Sequence, residues 1–375
     1  MEKIFTEDDL IYIQNRGNSI EKIQQQLDFF IQGIPKINLV RSAKVGDGIW
    51  QFSEEETIDF VSYFDKHKAN YSIEKFVPAS GAATRMFKFL NEFLNDFDVE
   101  NDTINSYINK RNAKDISIFI FGLKNFPFYR ELKEKTIQLY PNYYSLSSDK
   151  KYHALIKTLL SKEGLDFANK PKGILPFHVR DEKIITPIEE NIFESDFFKK
   201  ENQKTKIHFT ITEEFQPDFE KITNQFSECE ISFSYQNQST DTLAVHEDNT
   251  PFRIEGNKLF FRPGGHGALI DNLNALQSDI IYIKNIDNVS QNHRRVIETN
   301  KKILGGVLFF VQYKIFSYLK LLSNGNVTEE QILEIKDFAE NKTAFPLPEE
   351  FNFFQTEYKI EYLIKVLNRP IRVCG

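Results

Sequence analysis

Apolar residues recur along this chain with two periods, and the change from one to the other marks out its parts. Ile20, Ile23, Leu27 and Phe30 fall at helical spacing until Gly33 and Pro35 interrupt the pattern. Ser53 and Glu56 form a capping box that opens a second helix through about Lys66, and Val45-Gly46-Asp47-Gly48-Ile49 between them reads as a turn. Residues 1–70 are therefore expected as a helical extension, a lid or cradle added to a core.

Helical spacing returns at Ile116, Phe119, Ile120 and Leu123, and again at Tyr152, Leu155, Ile156 and Leu159 before Gly164, which predicts a helical insertion over 90–165. Short apolar runs at 206–211, 231–235, 258–261 and 280–283 follow the run at Phe76-Val77, separated by helix-length stretches. Strands alternating with helices predict an α/β domain over 71–292 with a mixed, mostly parallel sheet, whose ligands sit beyond the carboxyl ends of the strands. From 293 to 375 the pattern is helical again, with Thr328 and Gln331 as another capping box. Ile371 and Val373 alternate as a strand would, and an edge strand there is expected to continue into further chain.

At 375 residues the chain exceeds the size at which one core stops growing, so additions to a central domain, or two domains, are expected. A net charge of −7 argues against a broad nucleic-acid surface but leaves room for a local basic pocket. Cys229 and Cys374, far apart, support neither a disulfide framework nor a cysteine zinc site. His178, His208 and His246 lack the spacing of metal ligands and are expected as packed or surface groups. The acidic N-terminus and the lack of an uninterrupted apolar run of ~18 residues predict a cytoplasmic protein without a membrane partner.

Four stretches carry polar chemistry. Phe76-Val77-Pro78 leads into Ala79-Ser80-Gly81-Ala82-Ala83, small residues whose amides can approach a phosphate, and then Thr84 and Arg85 at an expected helix start whose dipole favours an anion. Pro171-Lys172-Gly173 stiffens the backbone around a lysine; Arg262-Pro263-Gly264-Gly265-His266-Gly267 is a flexible loop; Lys284-Asn285-Ile286-Asp287-Asn288 ends a strand with a carboxylate suited to Mg²⁺. Each has a plainer reading, as a surface arginine, a solvated lysine, a hairpin or a helix cap. Their joint occurrence in one α/β chain favours a site.

The ordered set resembles the nucleotide-sugar pyrophosphorylases of the UDP-sugar type. The G-G-x-G-T-R loop of those enzymes is matched by Ser80 to Arg85, and their P-K-x-L-x-P by Pro171-Lys172-Gly173-Ile174-Leu175-Pro176. Thr186-Pro187-Ile188-Glu189 falls where they present the next helix, and Phe233 to Gln238 resembles the segment that brings a glutamine, here Gln236, to the base. Pro263-Gly264-Gly265-His266-Gly267 matches their P-x-G-H-G loop, and Asn285-Ile286-Asp287-Asn288 their N-x-D-N. Ser80 and Ala83 stand where two loop glycines are usual, which restricts positive φ there. The whole chain is more specifically similar to an uncharacterised bacterial family, domain of unknown function 4301.

The resemblance implies a nucleotide-diphospho-sugar transferase-like three-layer α/β/α domain with helical additions at both ends. It also implies Mg²⁺-dependent transfer of a nucleotidyl group, uridylyl by the closest likeness, from a nucleoside triphosphate to a sugar phosphate with release of pyrophosphate. By that likeness Arg85 and the amides of Ser80, Gly81, Ala82, Ala83 and Thr84 would hold the triphosphate, and Lys172 would bridge the two phosphates. Asp287 would hold the metal beside Asn288, while Gln236, Gly265, His266 and Gly267 would face base, ribose or sugar. The same features suit a non-catalytic nucleotide or nucleotide-sugar binding protein, or a glycosyltransferase on the same sheet.

Overall fold

The computed structural model describes residues 4–375 apart from Asn38, Val40, Ala82 and Gln291, and it divides into two compact units. The first holds residues 1–34 and 72–292, the second 35–71 and 293–375. The N-terminal 70 residues, expected as one extension, are thus split between the two units.

The first unit is built on a four-stranded, wholly parallel sheet of β1 (Ile73–Pro78), β2 (Thr205–Ile211), β3 (Cys229–Tyr235) and β4 (Ile280–Ile283), in the order β4-β1-β2-β3. Lys75, Val77, Ile207 and Phe209 share one face with Ile231 and Phe233, since Lys75 pairs with Ile207 and Phe209 with Phe233. The apolar members of that face pack with Ile188 and Ile192 of the helix Pro187–Glu194 and with Phe219 of Gln216–Thr223. His208, on the other face, lies between the Ser232 and Ser234 hydroxyls at 2.7 Å each and stacks on Phe76. Burial lowers its pKa, which favours the neutral ring for this paired bonding.

Between β1 and β2 the chain forms five α-helices from Lys88–Asp96 to Ser148–Leu160, whose core includes Ile116, Phe119, Leu123, Leu155, Ile156 and Leu159. These are the positions that the helical spacing marks, with Ile120 and Tyr152 packed partly buried beside them.

Residues 258–261, expected as a strand of the main sheet, do not join it. Lys258–Leu259 pairs antiparallel with Arg253–Ile254, and Phe261–Arg262 with Thr242–Leu243. The chain turns back on itself at Gly256, whose positive φ closes the tight link between Arg253–Ile254 and Lys258–Leu259, so the run finds its partner locally. Leu243, Leu259 and Phe261 then bury against Phe5, Ile13, Ile23 and Leu27, so the helices Glu7–Asn15 and Ile20–Gln32 belong with this unit.

In the second unit the helix Glu54–His67, opened by the Ser53 and Glu56 capping box, lies along the helix Arg294–Ser323. Arg294–Ser323 is long and apolar enough, by length and composition, to cross a membrane, with a mean hydropathy of 1.2 over its most apolar 18 residues. Val307, Val311, Ile315 and Leu322 of this helix are buried in the unit's core, as in the central helix of a packed bundle. Residues 371–374 form no strand. Ile371 and Val373 instead lie partly buried against the same core, where side-chain packing replaces strand pairing.

Gly306 sets the spacing of the two long helices, since a Cβ placed there would lie 2.2 Å from the Phe60 carbonyl oxygen. We expect Gly306→Ala to force them apart and to cost about 1–3 kcal/mol in chemical denaturation. Unchanged stability would contradict this close approach.

Candidate active site at the carboxyl edge of the sheet

The strand order places a topological switch point between β4 and β1. The chain runs from β1 outward through β2 and β3, then crosses back to lay β4 on the opposite side of β1. Open parallel sheets bind ligands in the crevice beyond the carboxyl ends at such a point. Pairing of Ile283 with Phe76, followed by the bond from Lys284 N–H to the Phe76 carbonyl at 3.1 Å, brings residues 284–288 beside the loop that leaves Pro78.

That loop is tied down from two sides. Ala79 N–H donates to the Thr210 carbonyl at 2.8 Å, and the Thr212 hydroxyl to the Ser80 carbonyl at 3.3 Å. Ala83 N–H donates to the Lys170 carbonyl at 3.3 Å, and Lys172 N–H to the Gly81 carbonyl at 3.1 Å. The amides of Ser80 and Gly81 form no hydrogen bond among the described residues. Ala82 lies outside the described residues. Thr84 and Arg85 are exposed in a single 3-10 turn, Ala83–Arg85, and the Arg85 side chain forms no ion pair among the described residues. The α-helix expected to open here starts later, at Lys88, because residues 83–87 form tighter turns, and its dipole does not begin at the loop.

Lys172 and Asp287, 115 positions apart in sequence, meet at 2.8 Å between Nζ and Oδ2. The side chains keep 27% and 50% of their exposure, so the pair adds little to stability by itself. Gly173 is buried, and a Cβ there would touch Ile188, Ile286 and Phe219 within 3.4 Å, which seats the Lys172 turn against both the helix Pro187–Glu194 and the Asp287 turn. Asn288 is exposed, its N–H donating to the Asn285 carbonyl at 3.2 Å.

Two further polar groups hold this edge from beneath, and no spacing in the sequence announces them. Asn191 is fully buried and donates through Nδ2 to the carbonyls of Pro187, at 2.9 Å, and Ile286, at 3.3 Å, fixing the residue before Asp287. Lys75, also fully buried, donates to the Asn191 carbonyl at 2.8 Å and to Glu194 at 3.1 Å, while Lys284 contacts the other Glu194 oxygen. Burial pushes both lysines down, Lys75 well below the usual range with added repulsion from Lys284, and Lys284 to about 8 against a partial upward pull from Glu190.

A second cluster forms beyond β3. Gln236 donates through Nε2 to Asp241 at 3.1 Å, and Asp241 is held by Arg16 at 2.5 Å, a residue 225 positions away that also lies over the Phe261 ring. A Cβ on Gly264 would lie 2.9 Å from the Ala268 Cβ and 3.7 Å from Gln236 Nε2, so the glycine loop runs beside the glutamine. Gly265 and Gly267 are exposed, and the His266 side chain lies outside what is described. At the ~4.8 Å spacing of neighbouring strands this cluster is about 14 Å across the sheet from β4. Among the described residues, hydrogen bonds tie Lys172 to Gly81 and Asp287 in the first cluster and Gln236 to Asp241 in the second.

For Mg²⁺, the ion that the resemblance implies, the protein offers Asp287. Among the described residues no three His, Cys, Asp or Glu groups converge as a metal cage. That donor set fits an ion held by one carboxylate, waters and substrate phosphates.

The family model described as Domain of unknown function (DUF4301) matches residues 6–375, and the chain belongs to that family. Comparison with curated proteins and with solved structures returns no match to either.

The Lys75, Glu194 and Lys284 network yields a pH signature. Between a folded-state value of about 8 and the ordinary lysine value near 10.4, the unfolded chain holds the Lys284 proton that the folded chain has released. Stability to denaturant should therefore rise with pH from about 8 to 9.5, and Lys284→Met should flatten that rise. Glu194→Gln, which removes the shared carboxylate, should cost about 3–5 kcal/mol at neutral pH and less as pH rises. A stability that falls across this interval would contradict the assignment.

Proposed function

We propose that the chain is a nucleotidyltransferase of the nucleotide-diphospho-sugar transferase type, acting on a nucleoside triphosphate and a phosphorylated small molecule such as a sugar-1-phosphate. The observation that carries this reading is the exposed Lys172 and Asp287 pair at the switch point, with the Lys172 amide bonded to the small-residue loop. A cation, a carboxylate and two unbonded amides at one sheet edge suit a polyphosphate with its counter-ion better than a neutral ligand.

In this reading the Ser80 and Gly81 amides and the Arg85 guanidinium take the triphosphate. Lys172 neutralises the α-phosphate and the incoming phosphate, which lets two anions approach in line. An oxygen of the sugar phosphate forms a bond to the α-phosphorus as its bond to the bridging oxygen breaks, and pyrophosphate carries away the electron pair. Positioning and charge neutralisation do the work, without a covalent enzyme intermediate. Mg²⁺, when bound, neutralises phosphate charge beside Asp287. Gln236, whose amide nitrogen is engaged by Asp241, keeps its carbonyl oxygen to accept from a base edge.

A second reading, a nucleotide or nucleotide-sugar binding protein without turnover, is favoured by one feature of the loop. Ala83 is buried and its amide is committed to the Lys170 carbonyl, so the loop presents fewer donors than an all-glycine version could.

Exchange of labelled pyrophosphate into nucleoside triphosphate separates the readings. Wild-type protein should catalyse Mg²⁺-dependent exchange; Lys172→Ala should lower turnover, and Asp287→Asn should abolish the metal-dependent rate while sparing metal-free binding. Arg85→Ala should weaken triphosphate binding by ~1.5–3 kcal/mol, roughly 10- to 150-fold. Binding without exchange supports the second reading, and unchanged affinity and rate in all three folded variants removes this site from the function.

A further inference from the structure

The second unit contains a cleft of about 710 Å³, within the ~300–1,000 Å³ typical of small-molecule sites. Its wall carries Trp50, the only tryptophan in the chain, beside Gln51 and Glu56 on one side and Asn341 and Lys342 on the other. Trp50 is half-buried, edge-on to Phe52 with ring centroids 6.0 Å apart, and Phe52 packs on Phe60 in turn, so the indole is braced by the core. Asn341 and Lys342 end a π-helical turn, Phe338–Lys342, closed by the bond from Thr343 N–H to the Phe338 carbonyl at 3.2 Å. Such turns recur where a helix must aim side chains at a ligand.

The chemistry of the wall selects among ligands. Lys342 lies 5.1 Å from the Trp50 ring centre and forms no ion pair among the described residues, though its charge helps to hold the Glu56 carboxyl below its usual range behind the larger effect of the Ser53 amide. One cation and one carboxylate give the cleft no net charge, which disfavours a phosphate or a simple cation. Asn341 Nδ2 donates to Asp337 at 2.7 Å and one Glu56 oxygen accepts from Ser53 N–H at 2.8 Å, which leaves the Gln51 amide, the Asn341 carbonyl oxygen, the second Glu56 oxygen and the ammonium as donors and acceptors beside the indole. A pyranose ring has the complementary surface: one face of C–H groups that packs on an indole, and an equator of hydroxyls that each donate and accept.

We propose that this cleft is a binding site for a neutral saccharide, packed against the indole of Trp50 and hydrogen-bonded by Gln51, Glu56, Asn341 and Lys342. The proposal concerns the second unit alone and stands whether or not the sheet-edge site is catalytic.

Because Trp50 is the sole tryptophan, its selectively excited fluorescence in the full chain reports on this cleft. The probes are D-glucose, D-galactose, N-acetylglucosamine and maltose, with inorganic phosphate and nucleoside triphosphate as comparisons, and calorimetry as a second readout. At least one sugar should give a saturable change with a Kd near or below ~1 mM. Asn341→Ala and Lys342→Met, both at exposed positions, should each raise that Kd about tenfold, equivalent to ~1.4 kcal/mol, and leave the thermal midpoint in place. Failure of all four sugars to saturate by both readouts, sugar binding unaffected by both variants, or saturation by phosphate alone would each overturn the proposal.

Discussion

Parallel pairing of β4 with β1 is the constraint on which the candidate site depends. The ladder runs from Ile280 opposite Ile73 to Ile283 opposite Phe76, and it forms only after the chain has passed through β2, β3 and the small antiparallel ladders. A slip of one residue would turn every side chain of β4 to the opposite face and move the Asp287 turn off its support. The register is held by more than the ladder: Asn191 grips the Ile286 carbonyl, and Lys284 reaches Glu194 under the sheet. The exposed pair of Lys172 and Asp287 is therefore the visible end of a buried arrangement.

That arrangement is an expensive one to bury. Lys75 has no exposure at all and shares Glu194 with Lys284, in a medium that penalises charge. Apolar residues of similar volume would stabilise the same contact between helix and sheet at least as well. The polar version specifies direction instead: it fixes the helix Pro187–Glu194 in one rotation, and that helix carries the residues that seat both the Lys172 turn and the Asp287 turn.

Much of this was legible in the sequence, and the gaps have physical causes. Period alone located the five-helix insertion, the helix Glu54–His67 and three of the four strands that follow the insertion, because each buries one continuous apolar face. It misread residues 258–261, where the same alternation served a local antiparallel ladder; alternation states that a face is buried, not which sheet receives it. It also put residues 1–34 with 35–70, since helical spacing cannot say which core a helix covers. For the site, the short polar motifs pointed to Gly81, Lys172 and Asp287, which the fold brings together through hydrogen bonds. Arg16, Asn191, Glu194 and Asp241 were invisible, because each acts through a partner distant in sequence and belongs to no local pattern.

The central claim is that three separated segments form one phosphate-binding edge, and hydrogen exchange of backbone amides tests it most directly. With nucleoside triphosphate and Mg²⁺ added to the full chain, the account predicts joint protection of residues 79–85, 170–174 and 284–288, weakened together by Asp287→Asn. Protection confined to one of these segments, or appearing only elsewhere in the chain, would contradict it.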